Sequence, residues 1–149
     1  MLFSTKAEYG VRLMVELGRQ PGSSPVSLSA VAEAERLPLS YLEHLVARLR
    51  KAGLVNSTRG AHGGYTLARP AADITMAEVV AALEGDIAPI ECITADSDGA
   101  LICSREGAAP CPTKLLWTRV QGSIVRTLND MTLAELARPA RTRPEKQTV

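Results

Sequence analysis

Residues 37–70 read LPLSYLEHLVARLRKAGLVNSTRGAHGGYTLARP, and the fold is decided there. Leu42, Leu45, Val46 and Leu49 recur at the steps of an amphipathic helix, and Gly53 stands where such a helix stops. Ser40 and Glu43 have the spacing of a capping box, in which the Ser hydroxyl meets a backbone N–H and the Glu reaches back. The opposite face carries Tyr41, His44, Arg48 and Lys51. Beyond Gly53, Leu54–Thr58 and Tyr65–Arg69 have strand composition and are separated by Arg59-Gly60-Ala61-His62-Gly63-Gly64. Glycines at those positions suit a tight hairpin. A helix with a polar, basic face followed at once by a hairpin with Arg and His at its tip is the pattern of a reader helix and a wing. A narrow minor groove concentrates negative potential and accepts an inserted Arg.

Outward from this stretch the pattern is mostly helical. Tyr9, Val11, Leu13, Met14 and Leu17 predict a helix from Thr5 to Arg19, and QPGSSP at 20–25 is a turn. Val26–Leu28 reads as a short strand, and Ser29–Arg36 as a helix with Val31 and Ala32 inward. Downstream, Thr75-x-x-Glu78 is a second capping box opening a helix that Gly85 ends. Residues 86–111 are expected to be irregular, with a turn at Asp96–Gly99; from Glu84 to Glu106 there are six acidic residues and one basic. From Thr113 to Asp130 a long helix is expected, with Trp117, Val120, Ile124, Leu128 and Met131 as a narrow apolar seam. At 1.5 Å per residue it spans roughly 27 Å, and such a seam suits packing between protomers. Thr132-x-x-Glu135 is a third capping box, opening a short helix that ends near Arg138. The expected fold is mainly α with a small β-wing: a winged helix-turn-helix over 1–84, a cysteine-bearing loop over 85–111, a dimerisation helix and short helix over 112–138, and a flexible tail over 139–149.

Composition narrows the function. A chain of 149 residues holds one globular domain, and 46% hydrophobic with 22% charged residues excludes a wholly disordered one. Only 3% of residues are aromatic, which disfavours binding nucleic acid by stacked bases. No apolar run approaches the ~20 residues of a membrane span, and MLFSTKAEYG lacks a signal peptide's apolar stretch, so a cytoplasmic protein is expected. Residues 1–70 carry nine Lys/Arg against five Asp/Glu, and residues 71–149 carry eight against eleven. That asymmetry points a polyanion at the first half. The two histidines, His44 and His62, belong to no Cys–His or Ser–His–Asp arrangement, and the wing glycines precede a strand where a phosphate-cradling loop needs a helix. An enzyme is not expected. A winged helix serving protein contacts alone is disfavoured by Arg59 at the wing and the basic first half.

STKAEYGVRLM at 4–14, LPLSYLEHLVARLRKAGLV at 37–55, RGAHGGYTLARP at 59–70 and MTLAELA at 131–137 together resemble the IscR/NsrR-type winged-helix regulators. The resemblance covers residues 1–138, and in the reader helix Ser40, Tyr41, Glu43 and Arg48 match the iron–sulfur cluster regulator type. It implies a homodimer crossed by long helices, with two reader helices in successive major grooves of a pseudo-palindromic operator on double-stranded DNA. A repressor of genes for cluster assembly, iron or redox stress is the function this implies.

Each candidate residue carries a plain reading beside the functional one. Glu43 accepts from cytosine N4 or serves the capping box alone; Arg48 and Lys51 neutralise phosphate or bond guanine. Ser40 and Tyr41 touch phosphate, or Tyr41 packs between helices. His44 contacts a base or is solvated. Arg59 enters the minor groove, His62 joins it or occupies a turn, and Gly60 and Gly63 let backbone approach DNA closely.

Cys92, Cys103 and Cys111 are separated by ten and seven residues and form no C-x-x-C pair. In a reducing compartment they read as metal, cofactor or redox chemistry. The resemblance implies an iron–sulfur cluster held by three loop cysteines and one other ligand. In one branch of the family that ligand is a His three residues after the last Cys, where this chain has Lys114; in the nitric-oxide-sensing branch it is a first-helix carboxylate of the other subunit, matched here by Glu8. The expected set is therefore Cys92, Cys103, Cys111 and Glu8, with two-iron and four-iron forms both open because the first gap is longer than the family's usual one. A structural zinc on the same ligands and a thiol–disulfide switch are the alternatives, with Glu8 as a solvated helix residue.

Overall fold

The computed structural model describes residues 3–22, 24–88, 90, 92–95, 101–103 and 111–139. Three helices open the chain: α1 (Thr5–Arg19), α2 (Leu28–Glu35) and α3 (Leu39–Lys51). The hairpin β1 (Val55–Thr58) and β2 (Gly64–Leu67) follows, then a 3-10 turn at Ala71–Asp73 and α4 (Met76–Glu84). A second hairpin, β3 (Ile93–Ala95) and β4 (Leu101–Cys103), precedes α5 (Lys114–Asp130) and α6 (Leu133–Ala137).

Helix starts follow from local caps. The Ser4 hydroxyl accepts the Lys6 N–H at 3.2 Å, and Ser27 accepts that of Ala30 at 3.2 Å. Thr75 and Glu78 form a complete capping box, and Glu135 Oε1 accepts from the Thr132 N–H at 3.2 Å. The expected box at Ser40 and Glu43 does not form. The N-cap of α3 is Pro38, whose φ of −62° and ψ of 125° bring the chain in extended. Helix therefore begins at Leu39, and Ser40 lies inside the first turn, where its side chain has no N-capping geometry. At the other end Gly53, at φ 74°, closes a Schellman motif: Leu54 N–H bonds Leu49 O and Gly53 N–H bonds Arg50 O, each at 3.0 Å.

Two further expectations change. Val26 forms only an isolated bridge to Tyr65, and Leu28 already belongs to α2, so there is no strand over Val26–Leu28. Residues 86–111 are not irregular throughout: Ile93 faces Cys103 and Ala95 faces Leu101 in an antiparallel pair. Three-residue strands are too short for alternation to stand out in a sequence. The turn expected at Asp96–Gly99 and the tail beyond residue 139 lie outside the described residues.

One core joins the first four helices, the wing and α6. Leu13, Met14 and Leu17 of α1 meet Val31, Leu42, Leu45, Val46, Leu49, Leu54, Val55, Ile74, Met76, Val79 and Leu83, and Leu133 of α6 completes it. The wing pairs Val55 with Leu67 through Thr58 with Gly64. In contrast, α5 has no buried residue. Its expected seam at Trp117, Val120, Ile124 and Leu128 is half-buried in the single chain, and Leu115 and Leu116 are 63% and 55% exposed.

Candidate nucleic-acid interface and cysteine segment

The reader helix turns its buried stripe, Leu42, Leu45, Val46 and Leu49, into the core. By helical periodicity this sends Ser40, Glu43, His44 and Lys51 outward, and all four are exposed, as is Ala47. The wing follows directly on this helix, from Val55. Arg59, Gly60 and His62 are exposed and Gly63 is half-buried. Gly60 has φ 115°, and a Cβ on Gly63 would overlap backbone of Thr58, Arg59 and Gly60. The tip closes through Gly63 N–H to Gly60 O at 3.0 Å. Glycine is needed at both positions for the turn itself.

Two expected contact residues are engaged inside the fold. The Tyr41 ring is half-buried and meets Tyr9 edge-on, with centroids 5.7 Å apart, and its hydroxyl lies 3.3 Å from Thr5 Oγ1. Of the two readings of Tyr41, packing between helices is the one observed. Arg48 is exposed but donates from Nη1 to the Leu83 carbonyl of α4 at 3.3 Å. Sequence reading passed over Arg50. It is exposed and donates from Nη1 to Ser57 Oγ of β1 at 3.4 Å, tying reader helix to wing. Its signal was present: Arg50 follows Glu43 by seven residues, two helical turns along one face.

The cysteines occupy different settings. Cys92 is half-buried just before β3; Cys103 is buried at the end of β4, opposite Ile93. Cys111 is half-buried ahead of α5, with Sγ 3.3 Å from Thr113 Oγ1. All three are thiols. Glu8 is exposed and lines a groove of about 570 Å³ with Phe3, Ala7, Val11, Val80 and Leu128. Three thiols and a carboxylate suit iron in kind. In position they do not: among the described residues of one chain, no three His, Cys, Asp or Glu side chains come together as a metal site.

Glu84 is the residue that sequence reading missed altogether. Burial raises its carboxyl, but hydrogen bonds from Ser4, the charge of Lys6 and the Ala7 N–H outweigh that and hold it below the ordinary value. Glu78 is lowered too, by the Thr75 backbone N–H first and then by Arg69, whose Nη2 lies 2.7 Å away.

A winged helix with this reader face, wing tip and cysteine segment is matched by known proteins across the same span. The profile of the Rrf2 family, described as iron-dependent transcriptional regulator, matches residues 3–139. This chain belongs to the Rrf2 family. It is 40% identical over 140 residues to protein rrf2 of Nitratidesulfovibrio vulgaris, covering 94% of this chain and 89% of that protein. The structure of CymR of B. subtilis, described as the global cysteine regulator, superposes with a TM-score of 0.75 at 37% identity, covering 92% of this chain and 96% of that one. That of T. potens IscR gives 0.74 at 38% identity, covering 100% and 93%. Rrf2 proteins are named as transcriptional regulators, not enzymes. This Rrf2 protein is accordingly a transcriptional regulator built on a DNA-binding winged helix, and no described helix is long and apolar enough to cross a membrane.

Proposed function

We propose that this chain is a cytoplasmic, homodimeric repressor that reads a pseudo-palindromic operator through residues 1–84 and is governed by the cysteines of 85–111. The observation that carries the reading is the exposed stripe of Ser40, Glu43, His44 and Lys51 together with the exposed Arg59–His62 wing tip, on a helix and a hairpin that share one core. Glu43 faces cytosine N4, Lys51 and Ser40 take phosphate, His44 meets a base edge, and Arg59 with His62 enters the minor groove while Gly60 and Gly63 let the tip approach. Arg50 joins this surface; Tyr41 and Arg48 position it. Residues 112–138 hold the dimer: the α5 seam is only half-buried in one chain, and Leu115 and Leu116 of the same helix are exposed.

For the cysteine segment, the favoured reading is an iron–sulfur cluster on Cys92, Cys103, Cys111 and the partner's Glu8. It is supported by the donor set and by the family's description as iron-dependent. Because one chain does not gather these ligands, binding requires a second chain or a rearranged segment. Such a cluster would supply redox-sensitive ligation; the chain's own part is to hold three thiols in one segment and a carboxylate at the α1 surface. A metal-free thiol switch is the second reading, favoured by Cys92 lying one residue from the Ile93–Cys103 pair. Anaerobic purification decides between them. Brown protein with absorption near about 400–460 nm, lost in Cys92→Ala, supports the cluster. Colourless protein with titratable thiols supports the switch, and colourless zinc-bearing protein rejects both.

A further inference from the structure

The cysteine segment leaves the winged helix at the last turn of α4, and that turn is tied in three directions. Glu84 Oε1 accepts from the Ser4 N–H at 2.9 Å, the Ser4 hydroxyl at 2.5 Å and the Ala7 N–H at 3.3 Å, and Oε2 lies 3.7 Å from Lys6 Nζ. A carboxylate from another helix thus serves the unpaired N–H groups at the start of α1, where the helix dipole favours negative charge. One residue earlier, the Leu83 carbonyl is among the last four of α4, which have no acceptor role inside their own helix, and it takes the Arg48 guanidinium of the reader helix. The Leu83 side chain is fully buried against Gly10 of α1, where any Cβ would overlap its methyls. Then Gly85, at φ 82° and ψ −140°, redirects the chain. Two residues on, the Ile87 carbonyl accepts from Gln121 Nε2 of α5 at 2.9 Å.

We infer that residues 83–87 are a strap by which the state of the cysteine segment reaches the reader helix, with Arg48 and Glu84 as its positioning residues. Leu83 and Glu84 share one helical turn and cannot move separately. A pull on the segment beyond Gly85 therefore loosens the reader helix, through Arg48, together with the start of α1, through Glu84. Close packing of Leu83 on Gly10 leaves no continuous path for small shifts, so the joint is either seated or released. The inference rests on the reading of 85–111 as the sensing segment, and it assigns that segment its connection to DNA.

Hydrogen exchange followed by mass spectrometry tests it on the full chain, with iodoacetamide at the cysteine thiols as the perturbation. Alkylation should raise exchange in peptides covering 4–10 and 39–51 by about fivefold or more, the low end of ordinary coupling between sites. Arg48→Met, which keeps the side-chain stem and drops the bond to Leu83, should abolish the response in 39–51 while leaving that in 4–10. Glu84→Gln, which keeps an acceptor oxygen but not the charge facing Lys6, should weaken the response in 4–10. Faster exchange confined to 85–111 overturns the inference, and so does a uniform rise that includes α2. Failure of the protein to bind duplex DNA in any thiol state rejects the proposed function instead and leaves the exchange result standing.

Discussion

Thr75 and Thr132 face each other as an isolated antiparallel bridge, each at the N-cap of a different helix. Met76 N–H bonds Met131 O and Leu133 N–H bonds Ile74 O, both at 2.9 Å. The bridge fixes the C-terminal end of α5 to the start of α4 and drops Leu133 into the core between them. The first half of α5 is tied by Gln121 to the Ile87 carbonyl and carries the exposed Leu115 and Leu116.

Leu133→Ala tests that anchor. The side chain is fully buried, and removing it from a packed core costs about 2–5 kcal/mol. Urea unfolding should show a midpoint lowered accordingly. A loss under about 1 kcal/mol means that α6 is not part of the cooperative core.

Arg36 gives a prediction of opposite sign. It caps α2 at φ 54°, the one positive φ among described non-glycine residues. The position is a C′ site, with Arg36 N–H on Glu33 O and Leu37 N–H on Ala32 O, where glycine is the usual occupant. Arg36→Gly should raise stability by up to about 1 kcal/mol, since relief of the left-handed backbone outweighs the added freedom of the unfolded chain. Thermal unfolding at a lower midpoint than the parent refutes this.

Acid sensitivity follows from Glu78 and Glu84. Both carboxyls are held below their ordinary value in the folded chain, Glu78 by the Thr75 N–H and Arg69, Glu84 by Ser4, Lys6 and Ala7 against its burial. A lowered folded pKa means that the unfolded chain binds the proton first. Their stabilisation is complete above the unfolded value of about 4.3 and is lost as pH falls through the folded values. Glu84→Gln should flatten the fall in stability between about pH 5 and 3. An unchanged acid slope means that Glu84 titrates alike folded and unfolded.

How far the sequence reaches is visible in particular residues. The helix Thr5–Arg19, the two Thr–Glu capping boxes and the wing were legible because apolar period and turn chemistry are local. The Ser40–Glu43 box failed because Pro38 set the entry two residues upstream, a competition that spacing alone does not show. Glu84 stayed invisible because its partners, Ser4, Lys6 and Ala7, lie some 80 positions away and meet it only through tertiary packing. The thiols could be counted from sequence, but which of them approach one another depends on the β3–β4 register.

Arg59→Ala addresses the wing. Arg59 is exposed at the tip, so the variant should fold unchanged. If the side chain enters the minor groove, its loss weakens operator binding by about 1–3 kcal/mol and reduces the salt slope of affinity by about 1. Titrations at two salt concentrations with parental affinity and slope would remove the wing from the interface. Ser40, Glu43, His44 and Lys51 would then have to carry DNA recognition from the reader helix alone.

Glu8→Ala addresses the shared ligand. Glu8 lies on α1 at an apolar groove and joins no group of three metal-ligating side chains among the described residues of its own chain, so it serves a cluster either from a partner chain or after the cysteine segment rearranges. Carboxylate oxygen is a harder, weaker ligand for cluster iron than thiolate, and the variant should still load iron but release it faster under oxygen or chelator. The measurement is the decay of visible absorption in anaerobically prepared protein on exposure to air. A mixed dimer, in which one chain carries Glu8→Ala and the other lacks all three thiols, separates the geometries. When the cluster is bridged between chains, one site remains in that dimer, with its thiols on the first chain and an intact Glu8 on the second, and it decays at the slow parental rate. Ligation within one chain leaves that site without its carboxylate and gives the fast rate. The reverse arrangement, with both substitutions on one chain, then restores the slow rate only if the carboxylate is donated within the chain. Decay at the parental rate in the simple Glu8→Ala homodimer clears Glu8 of the ligand role altogether.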